Sequence, residues 1–235
     1  MKKILHHSTA VVFLAVAASA AATETPLADL DVVYAVNWAG LDVGSAGVTL
    51  KHDGAAGCYL YTTTTQPVGF VKALYGAPKQ LSRFCVKAGR VQSQQFESVL
   101  AGDEKQSYTL NFDYTKGVVI DENGASREIP EDAVDSFSLQ QAVRLWVSAH
   151  AKDEQAPIAE FTMVDRKNLT HYQFRLAGHE TIQTQAGSFD TLKMERIDNP
   201  DKIGRFWLAP ERGYMPVKIE TKNGGKPAVL LVLKQ

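Results

Sequence analysis

The sequence predicts a mainly β protein: a strongly curved antiparallel sheet or half-barrel of about 10–12 strands, with one main α-helix packed on its concave face. Three observations carry this. Short runs of period-two alternation recur from Asp31 onward, turn residues separate them at short intervals, and a single segment switches to helical periodicity.

The clearest strand is the run in which Tyr108, Leu110, Phe112 and Tyr114 alternate with Thr109, Asn111, Asp113 and Thr115. That pattern suits a sheet with one dry face. Val32, Tyr34, Val36 and Trp38 repeat it, as do Tyr172, Phe174 and Leu176 against His171, Gln173 and Arg175, and Met215, Val217 and Ile219 near the end. Asn123-Gly124 and Asn223-Gly224-Gly225 supply hairpin chemistry between such runs. An antiparallel sheet this wide curls rather than staying flat.

The exception lies at residues 138–151. Ser138 followed three residues later by Gln141 matches a capping box, and Leu139, Ala142, Val143 and Trp146 fall at helical spacing. Phe137, Leu145 and Val147 widen that apolar stripe, so the helix must touch apolar surface on more than one side. A shorter helical piece is expected at residues 67–74, opened by Pro67. The acid-rich stretch 121–135, with one arginine, reads as an exposed hairpin followed by a linker. With no Gly/Ser/Pro-rich divider or internal repeat, residues 23–235 are expected to form one domain.

The first 22 residues read as an export signal: Lys2 and Lys3, an uncharged apolar stretch of about ten residues, then Ala18-Ser19-Ala20 and Ala20-Ala21-Ala22 as A-x-A sites. Cleavage is expected after Ala20 or Ala22, releasing the chain to the periplasm. No later run is long and apolar enough for an integral membrane span. Losing the two signal lysines takes the net charge from −1 to about −3, which argues against nucleic acid as a partner. In an oxidising compartment Cys58 and Cys85 are candidates for a disulfide. Free buried thiols are the alternative. Their spacing matches neither a C-x-x-C redox motif nor a zinc knuckle.

Catalytic fingerprints do not emerge. The Gly-x-Ser-x-Gly elbow, phosphate loop, dinucleotide fingerprint and EF-hand loop are absent from the sequence. His52, His150, His171 and His179 show no metal-ligand spacing, and His171 falls on the polar side of its strand. The expectation is therefore a protein with no catalysis, no metal and no cofactor. It would hold an apolar ligand such as a lipid or acyl chain in a cavity lined by Phe137, Leu139, Val143 and Trp146, with Tyr108, Phe112 and Tyr114 as its floor. Two alternatives stand beside it: an envelope structural or adaptor protein with a solid core and a protein partner, and a hydrolase whose carboxylates meet only in space.

Several motifs resemble a known family. Tyr34-x-Val-x-Trp38-Ala-Gly40 with Gly44, Asp135-Ser-Phe-Ser138 entering the helix, Gly178-His-Glu180 leading to Thr184, Gly187, Phe189 and Thr191, and the closing Phe206-Trp207-Leu208-Ala209 and Pro216-Val217-Lys218-Ile219 are similar to the DUF3108 family of bacterial exported proteins. That family has no assigned activity. The resemblance implies an architecture like the lipoprotein carriers LolA and LolB, a curved sheet closed by helices around an apolar cavity, and by analogy lipid handling. The chain lacks the lipidation cysteine that a LolB-like anchor would require.

Overall fold

The computed structural model describes residues 27–69, 77–100 and 102–235. The expected export signal, and residues 70–74 of the expected short helix, lie outside them. Pro67 itself closes a strand.

Among the described residues fifteen strands form a single sheet. The N-terminal series is β1 (Leu30–Trp38), β2 (Leu41–His52), β3 (Cys58–Pro67), β4 (Lys79–Lys87), β5 (Arg90–Val99), β6 (Tyr108–Asp113), β7 (Val118–Asp121) and β8 (Ser126–Glu128). After the two-residue β9 (Ala133–Val134) and helix α1 (Ser136–His150) come β10 (Ala159–Val164), β11 (Leu169–Thr184), β12 (Gly187–Arg196) and β13 (Lys202–Ala209). A 3-10 turn (Pro210–Arg212), β14 (Met215–Asn223) and β15 (Val229–Leu233) close the chain. The first and last strands pair, Tyr34 opposite Leu233, so each half of the chain winds outward from the middle of the sheet. Every pairing is antiparallel except that of β9 with β10.

The two margins of the sheet, β8 and β9, are neighbours in sequence, so the winding brings them round to face one another. Arg127 of β8 donates to the Asp165 carbonyl after β10, and Arg166 donates to Glu122 beyond β7 at 2.8 Å. Phe96, Leu110, Val119, Ile129, Ala133 and Val164 pack across the seam. The curl therefore covers edges that would otherwise be open to pairing with another chain.

The strand count exceeds the expected 10–12 because the margins are built from very short strands. β7 to β9 have four, three and two residues, too few to carry a period. The expected linker after the Asn123-Gly124 hairpin is exposed only at residues 130–132, since Ile129, Ala133, Val134 and Asp135 are buried.

Helix α1 begins two residues before the expected start. Its N-cap is Asp135, which accepts from the amides of Phe137 and Ser138 at 2.8 and 3.0 Å, and Ser138 serves as a ligand of the cap instead of being the cap. Leu139, Val143 and Val147 are buried against the sheet's inner face, as the wide apolar stripe requires.

Antiparallel alternation sorts the turns into two rims. One rim, called the mouth below, carries the β1–β2 turn (residues 39–40), the β10–β11 turn (165–168), the β12–β13 connection (197–201) and the β14–β15 turn (224–228). The other, the base, carries the β2–β3, β4–β5 and β11–β12 turns and the 3-10 turn.

Candidate ligand-binding site

Beneath the first half of α1, facing β11 to β15, lies a cavity of about 340 Å³, within the range of small-molecule sites. Leu139 and Val143 of the helix form one wall, and Phe174, Phe206, Leu208, Ile219 and Leu231 of the sheet form the other. Polar groups gather where it nears the mouth: Arg196, Thr221 and Asn223 at the ends of their strands, with Ser136 and Gln140 on the helix. The arrangement is an apolar chamber with a polar collar, which suits an amphiphile more than a wholly polar solute.

Arg196 is the one fixed charge among the lining residues. Its Nε and Nη2 donate to the two oxygens of Asp198 at 2.7 and 2.5 Å, and its guanidinium lies 4.3 Å from the Tyr172 ring centre. Burial works against the Asp198 carboxylate, but the hydrogen bonds from Arg196 and from the Gln173 amide outweigh it and hold the pKa below the ordinary value. Gly204 makes room for this arrangement. A Cβ there would stand 3.1 Å from Arg196 Cβ and 3.8 Å from Phe174 Cε1, so a side chain on β13 would crowd Arg196 and come into contact with Phe174.

The roof is anchored at two buried polar knots. The Asp135 Oδ2 atom accepts from the hydroxyls of Ser82, Ser93 and Ser138 at 2.8, 2.7 and 2.7 Å, and all four residues are fully buried. Ser82 and Ser93 belong to β4 and β5, so this one carboxylate caps the helix and fastens it to the sheet. One turn beyond the cavity, Arg144 donates to Gln141 Oε1 at 2.9 Å and to the Gly213 carbonyl at 3.1–3.2 Å. Burial lowers its pKa. The nearby Tyr34 and Tyr61 hydroxyls are pushed up by burial, so they stay protonated and donate to the Pro216 carbonyl and to Gln140.

Of the residues expected to line a cavity, Leu139 and Val143 do so here. Phe137 points the other way, its ring 5.0 Å from Tyr61 and 5.6 Å from Phe96. Tyr108 and Phe112 belong to the seam cluster, where Tyr114 donates to the Ala133 carbonyl at 2.7 Å. Trp146, stacked on His150 with ring centres 4.4 Å apart, lines a second recess of about 490 Å³ with Arg90, Glu131 and Phe161 toward the base. The sequence did not mark Phe174, Phe206, Ile219, Leu231 or Arg196 as cavity residues. The alternation that would have found Phe174 and Ile219 marks an inner face without saying which part of it stays unfilled.

Cys58 and Cys85 stand directly opposite each other on β3 and β4 and form a disulfide. His171 is exposed on its strand, as expected, with Nδ1 2.9 Å from the Thr162 hydroxyl. Among the described residues no group of three or more His, Cys, Asp or Glu could hold a metal ion, and no helix is long and apolar enough to cross a membrane.

The model of the family described as "Protein of unknown function (DUF3108)" matches residues 33–229. The chain belongs to the DUF3108 family. The matched span of this DUF3108 protein runs from Val33 in β1 to Val229 at the start of β15, and so includes the helix, both polar knots and every cavity-lining residue except Leu231. Among solved structures it is similar to a β-barrel-like protein of the domain of unknown function DUF1849 from Brucella abortus, at 10% identity and a TM-score of 0.57. That alignment covers 88% of this chain and 96% of the other, so the likeness extends over the whole fold. Comparison with curated proteins finds no match.

Proposed function

We propose that this DUF3108 protein is an exported, periplasmic binding protein that shelters an apolar or amphiphilic ligand, such as a lipid or acyl chain, beneath α1, and that it works without a chemical step. The observation that carries the reading is the chamber itself: aromatic and aliphatic side chains from one helix and four strands surround space they do not fill, and the one charged lining group, Arg196, stands at its outer end. A core that served only stability would close that space, because unfilled volume forfeits contact energy. Binding would draw on burial of apolar ligand surface, about 25 cal/mol per Å², offset by the ordering costs of association.

Native mass spectrometry of the protein purified from periplasm, together with titration of a soluble fluorescent fatty acid, tests the proposal. Co-purification of an acyl-chain ligand is expected, as is saturable uptake of the probe with micromolar or tighter affinity. V143W, which places an indole into the chamber from the helix, should weaken uptake at least about tenfold, the equivalent of 1.4 kcal/mol. A clean apo mass with no probe uptake, or undiminished uptake by a folded V143W, would sink the reading.

A further inference from the structure

Among the described residues six large hydrophobic side chains are strongly exposed: Leu41, Val68, Val99, Ile158, Leu169 and Ile197. Their places in the topology are not scattered. Leu41 opens β2, Val68 follows the end of β3, Val99 ends β5, Leu169 opens β11 and Ile197 follows the end of β12. With strands alternating in direction, each of those positions is at the mouth rim. Ile158, just before β10, is the exception and lies at the base. The most exposed of the five, Leu41 and Val68, are 59% and 53% accessible and stand on adjacent strands, where the Val68 amide bonds to the Val43 carbonyl.

The same rim is where the cavity's polar collar lies, at Arg196, Thr221 and Asn223. Charge in that sector is also uneven. Lys167, Lys202, Lys222 and Lys226 lie on the turns and strand ends from β10 to β15. The sector's acids are Asp165, whose carboxylate accepts from the Lys167 and Asn168 amides, Asp198, paired with Arg196, and Asp201. Asp42, Asp103 and Glu104 stand on the other side of the rim, beside Leu41 and Val99, so the apolar ring with cations on the side where the chamber opens fits an anionic bilayer surface met chamber side first.

We propose that the mouth rim docks on a phospholipid bilayer bearing anionic headgroups, and that ligand passes between bilayer and cavity through this end. The apolar residues would reach below the headgroups while the lysines pair with lipid phosphates. The passage of ligand rests on the binding reading above; the docking stands or falls separately.

Sedimentation with vesicles of phosphatidylethanolamine and phosphatidylglycerol tests the docking. The wild-type protein should sediment with them, and L41S/V99S/I197S should lose at least about tenfold in partition coefficient, given the apolar surface each substitution withdraws from the contact. I158S, equally exposed but at the base, should partition as wild type does. If the triple variant does not melt cooperatively by circular dichroism, L41S and I197S singly are read in the same way. Absence of wild-type sedimentation, or a loss in I158S equal to that at the rim, overturns the proposal. The soluble fatty-acid probe separates the two ideas: probe uptake without vesicle binding removes the docking and leaves the ligand site, and vesicle binding without uptake does the reverse.

Discussion

Replacing Asp135 with alanine removes five hydrogen bonds in one step. Two are the cap bonds from the Phe137 and Ser138 amides at 2.8 and 3.0 Å, and losing an N-cap of this type costs about 1 kcal/mol. The other three come from the hydroxyls of Ser82, Ser93 and Ser138, all in the interior with no exposed surface. Hydrogen bonds to a charged group are worth about 1.5–3 kcal/mol each, and a buried hydroxyl left unpaired forfeits about 1–3. The three losses are not fully additive, because Ser82 Oγ and Ser138 Oγ already lie 3.0 Å apart and can turn toward each other, while Ser93 Oγ keeps the Asp135 amide at 2.9 Å. A net penalty of about 4 kcal/mol follows, a large share of a typical domain's 5–15. Asp135→Asn retains an acceptor for the cap but turns a donor toward three hydroxyls. About 2 kcal/mol is expected there. Urea unfolding of the oxidised protein, followed by circular dichroism and by tryptophan fluorescence to check that the transitions coincide, measures both values. A penalty below about 1.5 kcal/mol for D135A, or none for D135N, would show that the knot does not hold the helix and that the roof of the cavity is fixed elsewhere.

Opening the Cys58–Cys85 bond, by reductant or as C58A/C85A, releases a loop with a sequence separation of 27. The chain-entropy relation gives a loss of about 3.5 kcal/mol, read as a lower urea midpoint; an unchanged midpoint would mean the β3–β4 pairing restrains the unfolded chain on its own. Asp198→Asn should cost about 2 kcal/mol at pH 7, where the carboxylate takes two hydrogen bonds from Arg196. Because the folded-state pKa lies below the ordinary value, this contribution is fully present above the unfolded pKa of about 3.9 and disappears as pH falls through the lower folded value. The gap between wild type and D198N in urea midpoints should therefore be constant from pH 7 to about 5 and narrow as pH falls below about 3.9; a gap that stays the same in acid contradicts the assignment.

How far the sequence went is best judged residue by residue. Alternation in Tyr108 to Thr115, in Tyr172 to Leu176 and in Met215 to Ile219 identified strands because half-buried sheet imposes that period on side chains wherever strands are long enough. β8 and β9, at three and two residues, fall below that length, and their places are set by pairing with Val118–Ile120 of β7 and with Thr162 and Met163 of β10 rather than by their own pattern. The helix was visible from its apolar stripe, yet its first residue was misplaced. Ser138-x-x-Gln141 has the form of a capping box, but Asp135 is the better acceptor for two amides and for the hydroxyls that converge on it. Local chemistry offered two caps, and the partners on β4 and β5 selected one.

The cavity was less legible than the fold for a related reason. A period identifies a residue as inward, but Phe112 and Phe174 both satisfy it, and only one borders open space. What separates them is the company each keeps across the sheet. Phe112 lies with Phe96, Leu110 and Val119 in a seam where the two margins close on each other. Phe174 faces Gly204, which contributes no side chain, and a helix fastened to β4 and β5 at one end by the Asp135 knot and tied farther along to the Gly213 carbonyl by Arg144. The unfilled volume is thus a property of three distant segments acting together, a glycine on β13 and two buried anchors. Filling it from β13 is a different perturbation from filling it from the helix: a Cβ at position 204 would crowd Arg196 at 3.1 Å, whereas Val143 lines the chamber and takes no part in either anchor's hydrogen bonds. That difference makes the helix the cleaner side from which to ask whether the space is used.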